Sequence, residues 1–76
     1  MENNLTDRDV AFMRLALGMA QQAQAIGEVP VGAIVVQNNI VVGRGFNRSI
    51  TQADPTAHAE VMAIRDAARH FENYRL

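Results

Sequence analysis

From Val31 to Val36 the chain offers a strand no polar face. Pro30 fits only a strand start or an edge. After it, Val31-Gly32-Ala33-Ile34-Val35-Val36 is apolar on both sides of the pleat. Such a strand needs cover from both sides, as helices give it in α/β folds. Gln37-Asn38-Asn39 reads as a turn, and Ile40-Val41-Val42 opens a second strand that returns as a hairpin partner. Gly43-Arg44-Gly45-Phe46-Asn47 closes that strand, its glycines permitting a bend or a close approach of another backbone.

Two helices flank the hairpin. Leu5-Thr6-Asp7-Arg8-Asp9 has the form of a helix start, with Thr6 as cap and Asp9 placed to reach back to it. Asp7 and Asp9 lie at the positive end of the helix dipole. The helix is predicted from about Asp7 to Ile26. Val10, Met13, Leu17 and Ala20 form its buried face, flanked by Phe12, Ala16, Met19 and Ala23. Gly27 stops it. After the polar loop Arg48 to Ala53, Asp54 is expected to cap a second helix with Pro55 in its first position. That helix is predicted to run to about His70 or Phe71, with Val61, Met62, Ile64, Ala68 and Phe71 as its apolar face. The order is helix, strand, strand, helix, an α/β pattern. A two-stranded sheet is marginal alone, and two helices give a doubly apolar strand thin cover. The expectation is the front part of a larger fold, with residues 1–76 the N-terminal portion of one domain.

Composition excludes much chemistry. A chain of 76 residues buries only about 60% of the surface its unfolded form exposes. Small domains of that kind lean on disulfides, a metal or a partner subunit. Cysteine is absent, which removes disulfides and thiolate nucleophiles. Lysine is absent too, removing Schiff-base chemistry and a P-loop, and Ser49 is the single serine. The formal charge of −1 gives no bulk attraction to nucleic acid or an anionic membrane. The polar, acidic opening is no leader peptide, and no apolar run spans a bilayer, so a cytoplasmic location is expected.

The cluster that could carry chemistry is Thr56-Ala57-His58-Ala59-Glu60 at the start of the second helix. Within a helix, residues two apart point to nearly opposite sides. At a helix mouth, first-turn side chains can reach over the open end, where the dipole steadies an anion. A neutral imidazole there could hold a metal, and a carboxylate beside it could move protons. Taken alone the pair is a common one, and a lone histidine at a helix start is as a rule a solvated or capping residue. His70, near the end of that helix, reads as structural. Gly43-x-Gly45 lacks the third glycine and following helix of a dinucleotide loop. Arg44, Arg48 and Arg75 are candidate phosphate contacts, and the Met13, Leu17 and Met62, Phe71 stripes read as core.

The segments together say more than each alone. Glu28-Val29-Pro30-Val31-Gly32-Ala33, then Gly45-Phe46-Asn47-Arg48, then Asp54-Pro55-Thr56-Ala57-His58-Ala59-Glu60, then Asn73-Tyr74-Arg75-Leu76 stand in one order. That assembly resembles the bacterial tRNA-specific adenosine deaminases, members of the cytidine deaminase-like superfamily, from about Asp7 to Leu76. The resemblance implies the front part of a three-layer α-β-α fold. It implies His58 as a Zn2+ ligand and Glu60 as the catalytic general acid/base. Asn47 would hydrogen-bond the flipped base or its ribose, Val29 would line the base pocket, and the backbone of Ala59 would lie beside the base. The reaction so implied is hydrolytic deamination of adenosine to inosine at the wobble position of tRNA, by a homodimer.

One feature departs from that pattern. The family completes its zinc site with Pro-Cys-x-x-Cys downstream of a third strand, and this chain has no cysteine. The expectation is a truncated chain that alone neither binds zinc tightly nor deaminates. The alternatives are another zinc deaminase acting on cytosine, guanine or a free nucleoside, and a non-catalytic small interaction protein.

Overall fold

Thr6 starts the first helix as its sequence suggests. In the structure, a computed structural model that describes residues 6–74, the Thr6 hydroxyl accepts the Asp9 amide at 3.1 Å. The Asp9 carboxylate accepts the Thr6 amide at 3.2 Å, so two donors at the helix end are satisfied reciprocally. Leu5, like Arg75 and Leu76 of the sequence analysis, lies outside the described residues. Helix α1 spans Asp7–Ala25. It ends where Gly27 turns to φ +79°, a left-handed conformation that favours glycine. The Gly27 amide then donates to the Gln24 carbonyl at 3.1 Å and the Glu28 amide to the Ala23 carbonyl at 2.9 Å. That pair of bonds is the Schellman closure of a helix.

Strands β1 (Gly32–Gln37) and β2 (Ile40–Phe46) form an antiparallel hairpin. Its two-residue turn places Asn38 at φ 52° and Asn39 at φ 64°. Both are left-handed, which asparagine tolerates and which matches the twist of a tight hairpin. The register shifts between Val35 and Val36. Val35 opposes Gly43 and Val36 opposes Val41, leaving Val42 as the extra residue of a bulge.

The two helices lie on opposite faces of the hairpin. A Cβ on Gly32 would meet the backbone of α1, at the Ala16 carbonyl and 2.5 Å from the Ala20 nitrogen. A Cβ on Gly45 would meet the backbone of helix α2 (Ala59–Tyr74), at the Ala63 nitrogen and 2.6 Å from the Ala59 oxygen. Gly32 pairs with Phe46 and Gly45 with Ala33, and neighbours along a strand point to opposite faces. The sheet is therefore sandwiched, α1 on one side and α2 on the other, giving the three-layer α/β arrangement with a sheet of two strands. The buried apolar side chains are small: Ala23, Val42, Ala57, Ala59, Ala63 and Ala67. The radius of gyration is 13.5 Å, against about 11 Å for a compact chain of this length, as suits an open slab.

Three sequence expectations are corrected. The packed face of α1 is Phe12, Ala16, Met19, Ala20 and Ala23, while Met13 and Leu17 are 54% and 62% exposed and Val10 is exposed too. Small residues are what let the helix backbone approach Gly32, so Met13 and Leu17 are turned away while Phe12 and Met19 stay half-buried. The face of α2 shifts for the same reason to Ala59, Ala63 and Ala67, leaving Ile64 and Ala68 exposed. Asp54-Pro55-Thr56 does not begin α2. The Asp54 carboxylate accepts both the amide and the hydroxyl of Thr56, at 2.9 and 2.7 Å, and the Ala57 amide donates to the Asp54 carbonyl at 3.0 Å. These bonds close a separate turn. The helix begins only at Ala59 and continues past Phe71 to Tyr74. Among the described residues, no helix is long and apolar enough to cross a membrane.

Candidate functional site

Three backbone segments meet where β1 begins, β2 ends and α2 begins. The Asn47 amide donates to the Val31 carbonyl at 3.1 Å, extending the hairpin one step beyond its last paired residues. The Arg48 amide donates to the Ala57 carbonyl at 2.8 Å, tying the exit of β2 to the mouth of α2. The Val31 amide donates to the Val29 carbonyl at 2.8 Å, a tight turn around Pro30. Two hydrogen bonds thus bring Val29, Asn47 and His58, far apart in sequence, to one end of the sheet.

His58 occupies the position just before α2. Its carbonyl accepts the Met62 amide at 2.9 Å, the first bond of the helix. Glu60 follows in the first turn, where the helix dipole favours a carboxylate. Both side chains are exposed, and neither makes a hydrogen bond or ion pair with another described residue. Between them Ala59 is buried against Gly45. Val29 is 59% exposed and Asn47 only 9%. The Ser49 hydroxyl donates to the Asn47 side-chain oxygen at 3.0 Å, which holds that amide group in one orientation. This end of the sheet therefore carries a fixed polar group, Asn47, an exposed apolar side chain, Val29, and, at the start of α2, an exposed imidazole and an exposed carboxylate.

The loop behind Asn47 is anchored by a residue that sequence reasoning did not single out. Glu28 is 5% exposed, and its two carboxylate oxygens accept the Ile50 amide at 3.1 Å and the Thr51 amide at 2.6 Å. Burial alone would push this carboxyl up. The Thr51 and Ile50 amides, the Thr51 side chain and the charge of Arg48 outweigh that and hold it below its ordinary value. Asp54 is also held low, first by the Thr56 hydroxyl and then by the Thr56 amide, against burial, with a smaller contribution from Arg65. Arg65 reaches it at 3.9 Å. The signal for Glu28 in the sequence was faint, a lone acid between the Gly27 helix stop and an apolar strand.

Among the described residues, the arginine guanidinium groups do not gather at the site. The Arg44 amide donates to the Asp66 carboxylate at 2.9 Å, and Arg44 lines a groove with Asp66, Arg69 and His70 along the later turns of α2. The Arg48 guanidinium carbon lies 5.5 Å over the Phe46 ring, a cation–π contact. His70 packs edge-on against Phe71. For a metal, the donor set falls short. Among the described residues no three His, Cys, Asp or Glu side chains come together, whereas a structural or catalytic zinc takes three or four protein ligands. His58 could be one of them, and the described residues do not fit zinc by themselves.

Residues 6–76 match the family described as the cytidine and deoxycytidylate deaminase zinc-binding region. The chain is 51% identical over 70 residues to a tRNA-specific adenosine deaminase of Buchnera aphidicola, covering 92% of this chain and 43% of that protein. It is 51% identical over 69 residues to a tRNA-specific adenosine deaminase of Haemophilus influenzae, covering 90% of this chain and 40% of that one. It thus spans less than half the length of these curated relatives. Among solved structures, one from studies of A-to-I editing by tRNA:A34 deaminases superposes with a TM-score of 0.80 at 41% identity, covering 83% of this chain and 46% of that chain. A guanine deaminase from Bacillus subtilis superposes with a TM-score of 0.77 at 33% identity, covering 93% of this chain and 43% of that chain.

Proposed function

Because the chain belongs to the cytidine and deoxycytidylate deaminase zinc-binding family, we propose that it is the N-terminal portion of a deaminase domain acting on adenosine at the wobble position of tRNA. The observation that carries this reading is the meeting of Val29, Asn47 and His58-Ala59-Glu60 at one end of the sheet, through the Asn47–Val31 and Arg48–Ala57 hydrogen bonds. These are the segments that resemble the tRNA deaminases, and relatives 51% identical over about 70 residues carry that name.

Each residue then has a task. Asn47, buried and oriented by Ser49, hydrogen-bonds the base or its ribose. Val29, exposed before β1, forms an apolar wall for the base, and the Ala59 backbone lies beside it. Glu60 is the general acid/base. It moves one proton from the water that adds to C6 onto the ring nitrogen N1, where it stays, and the second from the resulting C6 hydroxyl onto the amino group as the C6–N bond breaks, so ammonia leaves and inosine is the product. His58 would give one ligand to zinc, and the others would come from outside these residues. The same reading takes the working protein to be a cytoplasmic homodimer with tRNA as its substrate.

The test uses the full-length native polypeptide and an anticodon stem-loop with adenosine at the wobble position. Inosine formation is expected, and Glu60→Gln should lower kcat by about 10²- to 10⁴-fold. The likeness to guanine deaminase supports a second reading, deamination of a free purine base. Ammonia release from guanine, with none from the stem-loop, would replace the first reading by the second.

A further inference from the structure

We propose that Glu28 is a positioning residue for substrate binding: by accepting the Ile50 and Thr51 amides, its buried carboxylate fixes the loop that begins at Asn47 in its binding conformation. The inference rests on the tRNA deaminase reading and assigns to that site a residue that touches no substrate.

Four observations carry it. The ties span 22 and 23 residues of sequence, so they join the loop to the fold and do not belong to a local turn. Beyond the ties of its first two residues, Asn47 to Val31 and Arg48 to Ala57, the loop's other backbone bonds are internal: Gln52 to Arg48, Ala53 to Ile50 and Asp54 to Ser49. They shape it without attaching its middle to anything. Ala53 sits at φ 49°, a conformation an alanine rarely adopts unaided, so the loop is held and not self-supporting. Finally, Glu28 is itself fixed, since its amide closes the end of α1 at the Ala23 carbonyl. One residue therefore links the end of α1, the wall residue Val29 next to it, and the loop that carries Asn47. A buried carboxylate with both oxygens taken by amides is worth more than a neutral acceptor, because each bond is charge-assisted.

The experiment compares Glu28→Gln, Glu28→Asp and Thr6→Ala in the full-length native polypeptide, with the wobble-adenosine stem-loop as substrate. Glutamine offers one carbonyl oxygen and no charge, so KM should rise about ten-fold while kcat changes less than about three-fold. Aspartate keeps the charge on a shorter stem, and its KM should fall between the two. Thr6→Ala weakens the fold through its helix cap and should leave KM unchanged. Amide exchange at Ile50 and Thr51 should quicken in Glu28→Gln, with strand amides unaffected. An unchanged KM in Glu28→Gln, or an equal rise in Thr6→Ala, overturns the positioning role. Unchanged exchange at Ile50 and Thr51 overturns the tie itself. If the unsubstituted protein does not deaminate the stem-loop, the deaminase reading fails, a result distinct from either.

Discussion

The two faces of the hairpin are built from the same kind of contact and end differently. On the α2 side, Gly43 and Gly45 lie under Ala59, Ala63 and Ala67, with the helix backbone so close that a Cβ at either glycine would collide with it. On the α1 side, Gly32 makes a similar approach to Ala16 and Ala20. There the next row of the helix stays open, and Met13, Leu17, Pro30 and Val31 line an apolar groove with Gly32. The closed face is the one whose helix mouth carries His58 and Glu60. A small-residue interface fixes a helix by backbone contact, with few rotamers to adjust, and so sets where its first turn points. An interface finished by large side chains needs something to cover them.

The largest expected effect breaks the closed face. Gly45→Ala puts a methyl group against the Ala63 nitrogen and 2.6 Å from the Ala59 oxygen. Both are backbone atoms that can move only if α2 moves. Such overpacking should cost about 3 kcal/mol, read from the shift of the urea midpoint of the full-length protein. On the proposed function it should also lower activity beyond the loss of folded protein, because α2 carries His58 and Glu60 at its mouth. A shift below about 0.5 kcal/mol would mean that the two layers are not locked together.

A second effect separates the loop from the closed face. Glu28 and Asp54 are both held below their ordinary values of 4.5 and 3.8. A carboxyl with a lowered folded-state pKa contributes stability that is complete above the ordinary value and is lost as pH falls through the folded one. Acidification to below these ordinary values should therefore loosen residues 48–56 before it disturbs the Gly–Ala layer. Amide exchange followed against pH reads this directly. Ile50, Thr51 and Thr56 should lose protection first, and simultaneous loss in α2 would show that loop and layer are one unit.

That contrast also explains what the sequence made legible. The capping box at Thr6, the stop at Gly27 and the Asn38-Asn39 turn are local chemistry, complete within a few residues, and the structure has all three. The site segments were legible as an ordered set of short motifs, and the hydrogen bonds of Asn47 and Arg48 bring those segments together. The packed faces of the helices were misread because large apolar residues at helical spacing suggest burial. In this fold the glycines of the strands select the alanines instead. Asp54-Pro55-Thr56 has the residues of a helix start, and only the double acceptance from Thr56 turns Asp54 away from α2. Glu28 was hidden because its partners lie more than twenty residues on, and no local pattern marks a tie of that length.

The smallest expected effect tests the open face. Leu17 is 62% exposed on α1 beside Met13 and Val31. A polar residue there removes little buried apolar area within these residues. Leu17→Gln should leave the 76-residue chain within about 0.5 kcal/mol of its parent in urea unfolding. The same substitution in the full-length protein asks a different question. If further chain of the domain lies over the groove, as a sheet apolar on both faces requires, the leucine is buried there, and the cost should rise to about 2 kcal/mol or more. Equal, small costs in both would mean that the α1 face stays open to water. The doubly apolar strand would then be covered fully on the α2 side alone, and the asymmetry between the two faces would belong to the finished protein.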